Sequence, residues 1–315
     1  MRRTFVVGCP RSGTTIVQAL LARHPAIYTL PETAFFEDLH GELAYRWGDH
    51  FARPQRQRLR HRLGFARKAM REKFVALQHK LAVDAAAARR PPLRSHAMAE
   101  GFIDMLDGLA AEAGRSMWIE KTPNHLLYIP EIEALVPDAR FVHVIRPGAD
   151  VLASLVDAYL RFENDLAFGG GTVHWARRWN HAMRLHGAHV GQARHHFIFL
   201  EDLIHHQDTE WKRLCAFLDV PAHVSLEEAC NQTIANLEQE PWKQGAVSGL
   251  VLESDRKVEA LFGPTMRQWL QTHLVPYEDL RARCQKTYRV THDKAMPDGV
   301  PAIPGLHRSR PQRPT

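Results

Sequence analysis

A chain of 315 residues with 45% hydrophobic and 24% charged residues has the composition of a globular protein, long enough for one fully cored α/β domain. No apolar run approaches the ~20 residues that cross a bilayer, which excludes a helical membrane protein, and the apolar stub before Gly8 is too short for a signal peptide. The formal net charge of +6 points to anionic ligands. Cys9, Cys215, Cys230 and Cys284 show no paired or metal-type spacing, which predicts a reducing, cytoplasmic setting. The twenty histidines include no HExxH or comparable ligand pattern, so they read as scattered surface residues and no metal is expected.

In chain order, Thr4 to Val7 is a β-branched and aromatic run that ends at Gly8. From Ser12 the pattern turns helical, with Ile16, Val17, Leu20 and Leu21 on one face. Strand, glycine loop and helix together aim backbone N–H groups and a helix dipole at an anion. The Gly8-x4-Gly13 spacing is that of a P-loop, but Thr14 stands where its lysine belongs, and the positive charge sits inside the loop at Arg11. Ala26 to Tyr28 predicts a short strand. Thr33 is a candidate cap for a helix running toward Trp47, with Glu32 in the loop before it. Arg53 to Arg94 holds thirteen Lys/Arg against two acids, with Leu59, Leu63, Phe74, Leu77 and Leu81 at roughly helical spacing. One or two inserted amphipathic helices are predicted there, either a solvated lid or a surface for an acidic acceptor or polyanion.

A helix over about 95–113 precedes the predicted strand 116–120, which runs into Lys121-Thr122-Pro123. Arg140 to Ile145 is the clearest central strand, apolar on both faces except at His143. It ends at Arg146-Pro147-Gly148, and the following helix carries Ser154. Trp175 and Trp179, one turn apart, read as core packing. A strand over 196–200 leads through Glu201-Asp202-Leu203 into a helix bearing Trp211, Leu214 and Phe217. Beyond Pro221 a loop is predicted around Trp242 and Lys243, a terminal helix over 258–274, and a loosely ordered tail from about 291. Alternating strands and helices predict a parallel sheet with right-handed crossovers. The domain reading is one α/β domain over 1–290, with a helical insertion at about 50–113 and a tail at 291–315.

Three strand ends deliver polar groups to one sheet edge, the ligand-binding edge of such folds. The first brings the loop from Gly8 to Thr15, the second Lys121, the third Arg146 with Ser154. A loop without the Walker lysine holds a 5′-phosphate through its backbone but lacks the group that reaches the β- and γ-phosphates of a triphosphate. Arg146 and Ser154 would grip a second phosphate. Two separate anion sites suit a nucleotide phosphorylated at two positions better than ATP.

These motifs resemble those of the sulfotransferases that use 3′-phosphoadenosine 5′-phosphosulfate (PAPS), across roughly residues 4 to 220. Pro10-Arg11-Ser12-Gly13-Thr14-Thr15 is similar to that family's 5′-phosphosulfate loop. Phe141 to Ser154 is similar to its 3′-phosphate motif, where an Arg precedes a Ser by eight residues. Glu201-Asp202-Leu203 is a weaker match. His24-Pro25 and Glu32-Thr33 resemble the branch that includes tyrosylprotein sulfotransferases and bacterial relatives. The resemblance implies a P-loop-like parallel sheet, PAPS as donor with PAP as product, a hydroxyl-bearing acceptor of unstated class, Glu32 as general base, and Lys121 and Arg11 as stabilisers of the transferring group. It implies Pro10 to Thr15, Arg146, Ser154 and Lys243 as nucleotide-binding residues, and no nucleic-acid partner is expected.

The chain departs from the family pattern where Pro147-Gly148-Ala149 replaces Asp-Pro-Arg, and where Leu200 precedes Glu-Asp-Leu. Alternatives stay open. Glu32 would also serve as a dipole-favoured acid near a helix N-terminus, and Arg146 as a structural partner of Asp150. His40 and His125 are rival bases. The alternative functions are a P-loop kinase acting on a small molecule and a non-enzymatic polyanion binder using residues 53–94.

Overall fold

A computed structural model describes residues 1–49, 52–54, 62–81, 90–162, 169–223, 234–235 and 255–293. Its centre is a five-stranded sheet built from β1 (Arg2–Gly8), β2 (Ile27–Thr29), β3 (Met117–Lys121), β4 (Arg140–Ile145) and β5 (His195–Phe199), in the order β2-β3-β1-β4-β5. All four pairings are parallel, with Phe5 opposite Glu120 on one side and Phe141 on the other. The predicted α/β class and parallel sheet are therefore present.

Strand alternation divides the core. Phe5, Val7, Trp118, Phe141 and Ile145 face one layer, made by α2 (Phe35–His40), α4 (Lys68–Lys80), α5 (Ser95–Glu112), α6 (Ile129–Leu135), α7 (Gly148–Arg161) and α8 (Gly171–Ala188). Val6, Met117, Ile119, Val142, Val144 and Ile198 face the other, made by α1 (Thr14–Leu21), α9 (Leu200–His205) and α10 (Gln207–Leu218). Both faces of β1 and β4 are buried, which is why they read as continuous apolar runs. Trp175 and Trp179 are buried on α8 as expected, each with its indole N–H on a carbonyl: Gly169 at 2.8 Å and Arg146 at 3.1 Å.

Several local expectations need correction. The helix toward Trp47 begins at Phe35 and breaks at Gly41, whose φ of 69° an L-residue rarely adopts, before α3 (Leu43–Arg46). The stretch 258–274 is two helices, α11 (Asp255–Leu261) and α12 (Pro264–His273), divided at Gly263-Pro264 because proline takes the first helical position but cannot continue a preceding helix. Helix α13 (Tyr277–Asp293) follows, so helix extends two residues past 291. In the basic stretch, α4 turns Met70, Phe74 and Leu77 inward and leaves its lysines exposed.

The histidine reading fails most clearly. His143, His186 and His195 are buried and form a chain across the β4–β5–α8 layer. His186 Nδ1 lies 2.9 Å from His143 Nδ1, His143 Nε2 lies 2.9 Å from His195 Nδ1, and His195 Nε2 lies 3.3 Å from Glu133. Three neutral rings satisfy this geometry if each donates toward the Glu133 carboxylate. No periodicity reveals such a chain, because its members come from three elements.

Burial lowers all three pKa values, with neighbouring histidine charge adding to it: His143 well below the ordinary range, His186 to about 3 and His195 to about 4. The unfolded chain therefore takes up protons below about pH 6.5 that the folded chain refuses. Their stability contribution is complete above that pH and lost as pH falls toward 4. Urea unfolding at pH 7.5 and 5.5 should show a loss on the order of 1 kcal/mol for each of these histidines, and a shallower loss in His186→Phe. Equal midpoints at the two pH values would contradict neutral burial.

Candidate active site

The site is assembled at the carboxyl ends of β1, β3 and β4, where the chain crosses from β3 on one side of β1 to β4 on the other. Between β1 and α1 the loop runs from Gly8 to Gly13. A Cβ on Gly8 would stand 2.6 Å from the Val144 carbonyl oxygen, so only glycine allows β1 and β4 to meet here. Gly13 holds φ at 95° and its carbonyl accepts the Ile16 and Val17 N–H groups at 3.0 and 3.1 Å, starting α1. No side chain caps α1 and no acid lies in its first turn, so its N-terminal amides and dipole face the loop. Ser12, Thr14 and Thr15 are buried against it, and Pro10 is half-buried at its lip.

Arg11 adopts a left-handed φ of 71°, uncommon for a residue with a side chain. Its Nε donates to Ser154 Oγ at 3.1 Å, and Arg146 Nη1 donates to the Arg11 carbonyl at 3.4 Å. Arg11, Arg146 and Ser154 thus form one cationic group that joins the β1 loop to the β4–α7 unit. Burial, then the Arg146 charge, lowers the Arg11 pKa. The Arg11 guanidinium lies toward Ser154, on the β4 side of the loop.

The β3 side holds the other charged group. Lys121 ends the strand with its side chain fully buried, its Nζ paired with Glu32 and 3.3 Å from Thr15 Oγ1. Glu32, partly exposed, follows β2 in the predicted loop. Lys121 therefore ties the phosphate-type loop to Glu32. Gln18 on α1 braces the same region, its Nε2 donating to Thr29 Oγ1 and to the Leu30 carbonyl, both at 2.8 Å. Helix α4 borders it from outside: Lys80 donates to the Glu32 carbonyl at 2.8 Å, and Lys73 pairs with Asp38. The basic stretch thus flanks the Glu32 loop.

His125 is fully buried beside Glu120, with Nε2 accepting the Phe36 N–H at 3.2 Å. His40 closes α2, stacked near the Phe36 and Tyr128 rings, and burial lowers its pKa. Burial raises the pKa of Glu37, whose carboxylate accepts from Asn124 at 2.9 Å. Leu200 packs on Gly13, where a Cβ would stand 2.9 Å from its methyl carbons. Lys243 and Trp242 lie outside the described residues. Among the described residues no group of three or more His, Cys, Asp or Glu side chains is arranged to hold a metal ion, and no helix is long and apolar enough to cross a membrane. Sequence reasoning missed Gln18, Glu120 and Thr122. Of these only Glu120 left a signal, a carboxylate inside an otherwise apolar strand.

Arg11 thus joins the glycine loop to the Arg146–Ser154 pair, and a carboxylate is held against a buried lysine. A family profile described as "Sulfotransferase family" matches residues 4–224. The protein-tyrosine sulfotransferase of Drosophila melanogaster is 23% identical over 222 residues, covering 69% of this chain and 38% of that protein, so the match spans well under half of the relative. Among solved structures, the sulfotransferase domain from the curacin biosynthetic pathway aligns with 92% of this chain and 96% of its own at 15% identity and a TM-score of 0.47. Mouse sulfotransferase SULT7A1, solved with PAP, aligns with 90% of this chain and 88% of its own at 12% identity and a TM-score of 0.43.

Proposed function

The chain belongs to the sulfotransferase family, and on that premise we propose that it transfers the sulfuryl group of PAPS to an acceptor hydroxyl, with Glu32 as general base. The observation that carries this reading is the Glu32–Lys121–Thr15 linkage, which sets a carboxylate beside an anion-binding loop that has no Walker lysine.

The residues present fit such a nucleotide. The loop opens on α1 with no side-chain cap and no acid in the first turn, and amides at a helix N-terminus suit a 5′-phosphate. Arg146 and Ser154 suit a 3′-phosphate, with Arg11 between the two. When bound, PAPS supplies an activated sulfuryl group whose S–O bond to the 5′-phosphate breaks as the acceptor oxygen attacks. Glu32 takes the acceptor proton, and its contact with the Lys121 ammonium holds that carboxylate beside the loop. Lys121 and Arg11 present fixed positive charge to the oxygens on which negative charge grows. Burial of Lys121 keeps it out of bulk water, where its charge would be screened. No bond to the protein is needed, because positioning and electrostatics suffice. A cytoplasmic location is supported by Cys9, Cys215 and Cys284, all free thiols.

The direct test incubates the protein with PAPS and pooled phenol, peptide, carbohydrate and lipid hydroxyls, reading PAP release and sulfated product. PAP should raise the melting temperature more than ATP·Mg²⁺ does. Stronger stabilisation by ATP·Mg²⁺ would favour a kinase. Salt-sensitive binding of heparin that survives Arg11 and Lys121 substitution, without sulfuryl transfer, would favour a polyanion binder.

Glu32→Gln should cut turnover by roughly 10²–10⁴-fold with little change in the PAP dissociation constant by calorimetry; retained turnover overturns the base assignment. Arg146→Ala should instead weaken PAP binding roughly ten- to hundred-fold, and an unchanged constant would remove Arg146 from the nucleotide site.

A further inference from the structure

The four backbone amides that follow Glu32 are all held by side chains. The Thr33 N–H meets Glu120 Oε1 at 3.3 Å, and the Ala34 N–H meets Thr122 Oγ1 at 3.2 Å. The Phe35 N–H meets Thr33 Oγ1 at 3.2 Å, and the Phe36 N–H meets His125 Nε2 at 3.2 Å. The hydroxyls of Thr33 and Thr122 both donate to Glu120 Oε1, at 2.8 and 2.6 Å. One carboxylate oxygen thereby gathers three donors. His125 Nδ1 stands 2.9 Å from the second oxygen, an electrostatic contact rather than an in-line hydrogen bond. Glu120 and His125 are both fully buried.

Two features make this more than helix capping. Ala34 holds a left-handed φ of 51°, a strained conformation that persists only where surroundings over-determine it. Moreover, β3 splits its last two side chains between opposite faces: Lys121 reaches Glu32, while Glu120 reaches Thr33. Adjacent residues of one strand therefore grip adjacent residues of one loop. A buried carboxylate is an expensive acceptor for an amide that a neutral side chain would satisfy. Here its charge orders two hydroxyls and a histidine around the loop.

We propose that Glu120, with Thr122 and His125, is the positioning group that fixes the direction of Glu32 against Lys121. The inference rests on the reading of Glu32 as the base. It also takes His125 out of the proton transfer, since its Nε2 lone pair is occupied by the Phe36 amide and its proton faces Glu120.

Hydrogen exchange on the full chain tests it. In Glu120→Ala the amides of residues 33–36 should exchange at least tenfold faster, with those of β1 and α1 unchanged and PAP affinity within twofold of wild type. Glu120→Gln, which keeps one acceptor oxygen, should restore part of that protection. PAP release from PAPS should fall ten- to hundred-fold in Glu120→Ala, and the substitution should add no further loss in a Glu32→Gln background. If Glu120→Ala does not fold, Thr33→Val and Thr122→Val carry the same expectations. Unchanged protection at 33–36, acceleration shared by β1, or a full further loss on top of Glu32→Gln would each overturn the clamp. A Glu32→Gln enzyme that turns over normally overturns the base reading alone, and the exchange pattern then still decides whether the loop is clamped.

Discussion

The end of β3 is the constraint on which the site depends. Glu120 and Lys121 are opposite charges at successive strand positions, both fully buried, and the pleat sends them to opposite faces of the sheet. Neither charge tolerates an apolar environment unpaired. Removing one partner of a buried pair typically costs about 3–5 kcal/mol. Each side chain therefore recruits a partner from the loop after β2, and the loop takes one conformation because both partners are adjacent in it. The same lysine touches Thr15, so the Glu32 loop, the strand and the phosphate-type loop are fixed relative to one another by one ammonium group.

The β4 side uses a different device. There the loop carries its cation inward, through a left-handed Arg11 that reaches Ser154 and lies against Arg146. Two like charges held together and partly desolvated have a free energy that an anion lowers, which the lowered Arg11 pKa reflects. A Walker lysine would aim charge beyond the second phosphate of a chain. Arg11 aims it sideways, toward the strand–helix unit bearing Arg146 and Ser154. Cation placement, more than the glycine spacing, separates this loop from a Walker loop.

Much of the fold was legible because its signals are local. The β1 run, the Gly8-x4-Gly13 loop, the β4 run ending in Arg146 and the eight-residue step to Ser154 each occupy one continuous stretch, and chain order did the rest. Glu32 and Lys121 were legible for the same reason, Lys121 as the charged residue that ends its strand and Glu32 as one in the loop after a strand. The α2–α3 break at Gly41 and the α11–α12 break at Gly263-Pro264 were less so. Apolar period continues across both, while the break depends on backbone conformation at one residue.

What the sequence by itself determined was the set of elements and the chemical character of the sheet edge: a parallel α/β domain with a glycine loop lacking its lysine, and three strand ends rich in cations and hydroxyls. Hydrophobic period and turn chemistry act over a few residues, so they survive in one dimension. Only the tertiary structure decided that His143, His186 and His195 join in a buried chain, that Arg11 meets Ser154, and that Glu120 holds the amide next to the candidate base. Those contacts link residues 43 to 143 positions apart. Their partners are selected by strand order and by the side of the pleat on which each residue falls, and neither is written in any single stretch of the chain.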